Sequence, residues 1–575
     1  MPIHNAEIAA IFNKYADLLE IDGANEYRVR AYRTAARNIS SLSQNAADMV
    51  EKGKDLSKLA GIGKDLAGKI AEIVETGTLS EFEGLKQKLP AGLLNLTQIE
   101  GMGPKRIATL HQELGITSLD ELEKAARQNK VRDLPGFAAK TEKAILEEIE
   151  RLGKQEDSGK RLKLSVAEEL AQPLLEYLRQ VKGVKRVEAA GSYRRGLETV
   201  GDLDVLVTHT KISKVMDRFV NYENVQKVIS KGETRSTVMM RYGLQVDLRA
   251  VASHSYGSAL HYFTGSKAHS VAIRQIGVKK GLKINEYGVF KGEKRVAGKE
   301  EDEVYAQVDL PYVEPELREN RGEIEAARDN RLPKILDMDD IKGDLHAHTK
   351  ATDGRSTLEQ MARAAQDKGY QYLAITEHSK HVTVAKGLDT KRLREHAREI
   401  DRLNEKLDDF VLLKSIEVDI LEDGSLDLPD DVLKELDVVV CAIHSKFNLP
   451  RNKQTERIIR ALQKPYFTIL AHPTGRMIND REPYDLDMEG LIEAARENRC
   501  ALELNAQPDR LDLSDIYCRM AKEAGVPIVI STDAHSTEEL DFMRFGILQA
   551  RRGWLEPGDV LNTKDLKELR RAFKR

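Results

Sequence analysis

Two carboxylates stand side by side in "GSYRRGLETVGDLDVLV" (191–207), where Asp202 and Asp204 lie on an apolar run that reads as a half-buried strand. Side chains alternate along a strand, so both aspartates share one face while Leu203, Val205 and Val207 share the other. A second run, "LQVDLRAV" (244–251), puts Gln245, Asp247 and Arg249 on one face and Val246 and Leu248 on the other. If the two strands are neighbours, three carboxylates converge, and uncompensated they repel or one of them protonates. Divalent cations remove that cost. Hard oxygen ligands suit Mg²⁺, which keeps waters and accepts substrate phosphates. Two such ions would activate an attacking hydroxyl and stabilise a leaving pyrophosphate. The Gly191-Ser192 turn with Arg195 offers a nucleotide triphosphate backbone N–H groups, a hydroxyl and a guanidinium. A solvent-facing acidic strand edge explains neither that turn nor the third aspartate.

A second chemistry lies in the C-terminal part. His346 and His348 ("GDLHAHT"), His378 ("TEHS"), Glu417 ("IEVD"), His444 ("IHS"), His472 ("AHP"), and Asp533 and His535 ("STDAH") stand at or just beyond apolar runs, with Asp353 close after the first pair. HxH and DxH place two ligands on one strand face. Mixed imidazole and carboxylate suits Zn, Mn or Fe, and the C-terminal ends of strands are where barrel enzymes gather their active sites. Arg476 and Lys446 are nearby cations that could hold a substrate phosphate. Isolated histidines such as His111, His209 and His396 read as surface or core residues.

The elements that must position these groups follow from the pattern. Apolar runs at 372–376, 411–420, 436–443, 467–472, 501–505 and 527–532 alternate with helical stretches, which predicts parallel strands in an α/β barrel. A charged, proline-bearing stretch between Pro311 and Asp340 reads as a linker. Helical periodicity dominates the first 150 residues or so, and three segments there resemble one another: "LAGIGKDLAGKI" (59–70), "IEGMGPKRIATL" (99–110) and "LPGFAAKTEKAIL" (134–146). Each is an apolar residue, a glycine turn and a helix start with basic residues, the helix-hairpin-helix pattern. Its glycines (Gly61, Gly63, Gly101, Gly103) let the backbone approach a phosphate, with Lys105 beside them, and the free N–H groups of the next helix face it. Such contacts bind DNA without regard to sequence.

Composition adds exclusions. The 575 residues are enough for roughly three to five domains. With 32% charged residues and a net charge of −4, any nucleic-acid footprint must be local. No apolar run reaches the ~20 residues of a membrane span, and the N-terminal segment lacks the charged and apolar regions of a signal peptide. Cys441, Cys500 and Cys518 have no CxxC spacing, as expected of buried thiols in a reducing cytoplasm.

"HYFTGSKAHSVAIRQIGVKKGLKINEYGVF" (261–290) strongly resembles the thumb of DNA polymerase beta-type enzymes, and the GS…GDLDV and QVDLR motifs match the palm of that family. The chain resembles the bacterial type of family X DNA polymerases over essentially its whole length. The C-terminal motifs resemble the polymerase-and-histidinol-phosphatase (PHP) domain, with all nine ligand positions present. The resemblance implies a multidomain protein. A helical DNA-binding domain (1–82) comes first, then helix-hairpin-helix fingers (83–158), an α+β nucleotidyltransferase palm (159–252) and a thumb (253–316). A linker (317–339) and a distorted TIM-like PHP barrel (340–575) follow. It further implies Asp202, Asp204 and Asp247 as the ligands of two Mg²⁺, and Gly191, Ser192, Arg195 and Gly201 as nucleotide contacts. Tyr262, Phe263 and Gly265 would lie against the sugar and base, and Arg274 near the nascent base pair. The barrel would hold up to three Mn²⁺ or Zn²⁺. Lys69 matches the Schiff-base lysine of the family's lyase domain, although Asp65 replaces a basic neighbour.

The expected activity is gap filling in DNA repair on gapped or primer-template DNA with deoxynucleoside triphosphates. The barrel is expected to act as a 3′→5′ exonuclease, with 3′-phosphatase and abasic-site endonuclease activities associated with the family. The expected setting is a cytoplasmic monomer with no membrane partner. Two alternatives stay open. One is a template-independent nucleotidyltransferase with a small-molecule phosphoesterase; the other is a non-catalytic DNA-end scaffold.

Overall fold

The computed structural model describes residues 5–40, 46–51, 53–59, 61–99, 102–155, 161–210 and 213–573. Its contacts divide them into two compact units, one ending at Lys160 and one starting at Arg161. Among the described residues no helix is long and apolar enough to cross a membrane.

The first unit is helical. Its two longest N-terminal helices, Asn5–Ile21 and Glu26–Ser40, bury Ile8, Phe12, Leu19, Ala35 and Ile39 against Ile70 and Ile73 of the helix Lys64–Thr76. The helix Pro104–Leu114 joins the same core through Ile107 and Leu110. Both of these latter helices start at a glycine, Gly63 and Gly103, with no side chain capping the first turn, and both end at a glycine in the left-handed region. With no side-chain cap, the start of each helix is left to its backbone, the Arg106 N–H turning back to the Gly103 carbonyl at 2.9 Å.

The second unit begins with a five-stranded sheet ordered Val184–Ala189, Asp202–His209, Gln245–Ala250, Arg235–Met240, Val225–Lys231. The strands that carry the aspartates are parallel and adjacent, with Asp202 opposite Gln245 and Asp204 opposite Asp247. Their other faces bury Leu203, Val205, Val246 and Leu248 beneath the helix Leu164–Arg179, whose Leu170, Leu174 and Leu178 complete that core. The helices Tyr256–Thr264 and Lys267–Lys279 follow, then a three-stranded antiparallel sheet over 282–297. The segment 317–339 connects this region to the barrel and is itself packed: Leu317, Arg318, Glu323 and Ile324 are buried, and Glu323–Arg328 is helical.

Seven parallel strands then run in sequence order: Gly343–Ala347, Tyr372–Ile375, Val411–Asp419, Val438–Ala442, Ile469–Leu470, Ala501–Asn505 and Ile528–Ser531. A parallel bridge between Ala347 and Ala534 joins the two ends of the sheet into a barrel. Inside it Leu345, Leu413, Val440, Ala442 and Val529 pack together, and Leu569 of the helix Leu566–Ala572 closes this cluster. The outward faces, among them Ile416, Val418 and Leu502, pack on the surrounding helices. Strand alternation then decides where the chemistry goes. Glu417 shares its parity with Leu413, His444 with Val440, Glu503 with Ala501 and Asp533 with Val529, so polar groups continue the inward rows beyond the apolar plug.

Candidate active sites

At the palm, Gly191 has φ +64°, and a Cβ there would stand 3.5 Å from Asp204 Oδ2, so the glycine brings the turn directly against the aspartate. The Ala190 N–H donates to the Asp204 carbonyl at 2.8 Å and ties turn to strand. Burial raises Asp204 to about 6, the carboxylates of Asp202 and Asp247 adding to the effect against the opposing pull of Arg249. Burial is thus the larger part of the penalty and like charge the smaller, and a divalent cation is the species that would relieve both. Asp247 is buried, and its Oδ1 accepts from Arg235 Nη2 at 3.0 Å and from the Thr237 hydroxyl. Among the described residues the three carboxylates do not form a group with ligand atoms within 4.8 Å of one another, as the barrel residues described below do.

A cavity of about 880 Å³ opens over Asp202 and Asp204. Gly191, Ser192 and Arg195 line it, and Tyr262, Phe263, Gly265 and Arg274 reach it from the thumb. Phe263 lies under Arg249, whose guanidinium is 4.3 Å from the ring centroid, and Tyr262 packs edge-on against Phe263. Gly201 does not line the cavity itself; a Cβ there would stand 3.0 Å from Nη1 of Arg161, which does. The cavity is thus flanked by guanidinium groups around two exposed or half-buried carboxylates, which suits a polyanion bound through cations.

In the barrel all nine expected ligands converge at one end. They form three overlapping groups: His348, Asp353, His378 and His535; His346, His348 and Asp533; and His378, Glu417 and His444. His472 Nε2 lies 3.0 Å from Glu417 Oε1 and extends the third group. The Glu417 carboxylate lies 2.7–3.7 Å from His346, His348, His378, His444 and His472 and links the groups. Among the described residues, His346 Nε2 and both ring nitrogens of His348 are buried without a hydrogen-bond partner. Buried orphan imidazole nitrogens facing carboxylates fit a transition-metal ligand set. Burial, helped by the cationic neighbours His535 and His378, lowers His348 to about 4 and keeps it neutral, as a ligand must be. Burial opposes the charge on His378 too, but Glu417 and Asp353 prevail and raise it to about 10. Burial likewise opposes ionisation of Glu417, yet the surrounding histidines hold it well below the usual carboxylate range.

Sequence reasoning missed the groups that orient these ligands. Glu503 Oε1 accepts from His346 Nδ1 at 2.7 Å, and its Oε2 accepts from the His472 N–H at 2.6 Å. Asp419 Oδ1 accepts from both the backbone N–H and Nδ1 of His444 at 3.0 Å. Carboxylates behind metal-binding imidazoles fix the tautomer and the ring plane. The available signal was strand parity: Glu503 and Asp419 occupy inward positions of otherwise apolar strands. Arg476 and Lys446 do not serve the barrel site as expected. Arg476 turns to the palm, pairing with Glu198 at 2.6 Å and lining the palm cavity, and Lys446 pairs with Glu422 at 3.4 Å.

In the first unit, Gly61 has φ +69°, and a Cβ there would come within 2.5 Å of the Asn38 amide. Gly63 and Gly103 precede the uncapped helix starts, while Gly101 lies outside the described residues. Lys105 is exposed and pairs with Glu26 at 2.9 Å. Lys69 is largely buried and bonded to the Tyr32 hydroxyl at 2.6 Å, Asp65 at 3.0 Å and Glu81 at 3.2 Å. Burial opposes its charge, but those three partners outweigh burial and raise it well above the ordinary lysine range.

Known proteins match this chain segment by segment. Family profiles match a helix-hairpin-helix domain over residues 3–79, a SAM-like helix-hairpin-helix tandem over 93–151, the DNA polymerase beta palm over 164–256 and the DNA polymerase beta thumb over 259–319. A relative from Bacillus subtilis, named DNA polymerase/3′-5′ exonuclease PolX, is 39% identical over 578 residues and covers 100% of each chain. A probable phosphatase of Thermoanaerobacter pseudethanolicus is 30% identical over 231 residues, which is 38% of this chain and 89% of the phosphatase. One of Caldanaerobacter subterraneus is 30% identical over 203 residues. With 39% identity over its full length to one such enzyme, a beta-type palm and thumb, and phosphatase relatives over part of its length, the chain belongs to the family X DNA polymerases that carry a PHP domain.

Proposed function

We propose that this chain fills short gaps in DNA during repair and trims DNA 3′ ends with its barrel. The observation that carries the reading is the presence, in one chain, of two separate sites with different ligand chemistry: an all-carboxylate pair of strands under a guanidinium-lined cavity, and a bowl of imidazoles and carboxylates. In the palm, the Gly191-Ser192 turn and Arg195 bind the triphosphate of an incoming deoxynucleotide, with Gly201 close by. Tyr262, Phe263 and Gly265 face its sugar and base, and Arg274 stands by the nascent pair. Asp202, Asp204 and Asp247 would hold two Mg²⁺, which when bound supply charge neutralisation for the triphosphate and activation of the primer 3′-hydroxyl. Thr237 and Arg235 hold Asp247 in place through its Oδ1.

In the barrel, His346, His348, Asp353, His378, Glu417, His444, His472, Asp533 and His535 would hold up to three Mn²⁺ or Zn²⁺, which supply Lewis-acid activation for phosphoester hydrolysis. Glu503 and Asp419 set the orientation of His346 and His444. The substrate range of this site extends to 3′-phosphates and abasic sites. The glycine hairpins at Gly61–Gly63 and Gly103–Lys105 hold the DNA backbone, and the protein works as a monomer in the cytoplasm.

The test is separation of function on labelled gapped DNA, with and without nucleotides. Asp247→Ala is expected to cut templated extension more than ~100-fold, on the scale of a group acting in the transition state, while 3′-end degradation continues. His348→Ala is expected to do the reverse. Loss of both activities together in His348→Ala, with early melting, would show that the histidine cluster serves only the fold.

A further inference from the structure

The wall of the palm cavity opposite the metal aspartates is not made by the palm. It is made by the barrel, through Asp515 and Ile516 on one helix and Gln549 and Arg552 on another. Arg552 is 7% exposed, so its charge is held by protein partners and not by water. Its Nη1 donates to the backbone carbonyl of Arg195 at 3.0 Å and to Glu319 Oε1 at 3.1 Å, and its Nη2 meets Asp515 Oδ2 at 2.8 Å. Glu319 Oε1 also accepts from Arg195 Nε at 2.9 Å. One carboxylate oxygen therefore bridges two guanidinium groups, one from the palm and one from the barrel. The chain of alternating charge continues from Asp515 to Arg321 at 2.9 Å.

The consequence concerns Arg195. Its Nη1 is already engaged by the Thr264 carbonyl at 2.5 Å, and its Nε by Glu319. An incoming triphosphate and the Glu319 carboxylate are both anions, and they compete for the same guanidinium. A buried carboxylate shared between two cations binds each of them less tightly than it would bind one alone. Removing the second cation leaves the whole charge of Glu319 on Arg195. The backbone bond from Arg552 meanwhile fixes the position of Arg195 in the turn that follows Ser192.

We propose that Arg552, a residue of the phosphoesterase barrel, is a positioning residue for the polymerase: acting through Glu319, it keeps Arg195 available to the triphosphate. The barrel thus tunes nucleotide affinity at the palm without touching the reacting atoms. The inference rests on the assignment of Arg195 as a triphosphate contact.

Steady-state gap filling on a one-nucleotide gap, with the full-length protein and varied nucleotide, tests it. Arg552→Met is expected to raise KM for the nucleotide about fivefold to twentyfold, with a much smaller change in kcat, the range of coupling between groups in direct contact. Arg552→Lys should restore part of the affinity. Glu319→Gln alone should lower KM, and combined with Arg552→Met it should remove most of the defect, because Arg552 acts on the Arg195 guanidinium through Glu319 and only its backbone bond to Arg195 is independent of that carboxylate. A KM for Arg552→Met within about twofold of the parent, or a defect that Glu319→Gln leaves in place, would overturn the proposal. So would a parallel fall in polymerisation, nuclease activity and melting temperature, which marks a packing role. Should Arg552→Met fail to fold, Glu319→Gln decides, since an unchanged KM there also overturns it. Arg195→Ala is the control. If it leaves KM unchanged, the triphosphate assignment itself falls; if it raises KM while Arg552→Met does not, only the barrel coupling falls.

Discussion

Glu503→Gln isolates the carboxylate behind the barrel ligands. The substitution keeps the shape of a fully buried side chain and removes one acceptor oxygen and one charge. Glu503 now accepts three hydrogen bonds: His346 Nδ1 donates to Oε1 at 2.7 Å, and the His472 N–H at 2.6 Å and Asn505 Nδ2 at 3.3 Å both donate to Oε2. A glutamine has a single carbonyl oxygen, so the donors on one side, His346 Nδ1 or the His472 N–H with Asn505, would face an NH₂ group. Losing a hydrogen bond to a charged acceptor costs about 1.5–3 kcal/mol, and 1.4 kcal/mol is a factor of ten, so the expected weakening of metal binding is about tenfold to a hundredfold. The assay is degradation of a labelled 3′ end as Mn²⁺ is titrated. The midpoint should move up by that factor, and activity should recover at saturating metal because every direct ligand is still present. Mg²⁺-dependent gap filling should stay as it was. A midpoint within about twofold of the parent would refute the orienting role, and so would a loss that no metal concentration restores.

Two further outcomes follow from buried charge. Glu301 sits between Arg318 and Arg194, with contacts at 2.5 and 2.8 Å; burial opposes its ionisation, but the two guanidiniums win and lower it from 4.5 to about 2. A depressed acid stabilises the fold fully above its unfolded value and loses that contribution as pH falls from 4.5 through about 2, so Glu301→Gln should cost about 3 kcal/mol at pH 7 in urea unfolding, with the gap closing toward pH 2; a pH-independent difference would contradict the assignment. Lys69, held protonated by Tyr32, Asp65 and Glu81, is poorly set up to attack a sugar aldehyde, and borohydride should trap no adduct with an incised abasic site; an adduct that Lys69→Ala abolishes would instead establish the lyase role.

What the sequence revealed and what it hid divide along a physical line. Asp202, Asp204 and Asp247 were legible because strand alternation forces same-parity residues together, and the strands proved adjacent with Asp204 opposite Asp247. The convergence of the nine barrel residues was legible because histidines and acids at the ends of apolar strands have few reasons to recur. Six of the seven barrel strands were visible as apolar runs; the remaining one, Gly343–Ala347, carries the GDLHA motif, whose Asp344 and His346 interrupt the apolar signal. The small sheet over 282–297 gave no comparable pattern, since its strands are only four residues each.

Arg476 shows where neighbourhood in sequence fails. It follows His472 by four positions, which suggested a place beside the barrel metals. The chain turns between them, with φ at +28° for His472 and +61° for Gly475, and the arginine emerges on the palm side against Glu198. Alternation constrains residues that share a strand and says nothing about residues separated by a turn. The same limit hid Arg552, which lies 233 positions from Glu319 and 357 from Arg195. Charged residues on helix surfaces have no apolar period to betray their partners, so a composite cavity wall built from them becomes visible only when palm and barrel are folded against each other. The two catalytic chemistries are written locally in the chain; their coupling is written in the contacts between distant helices.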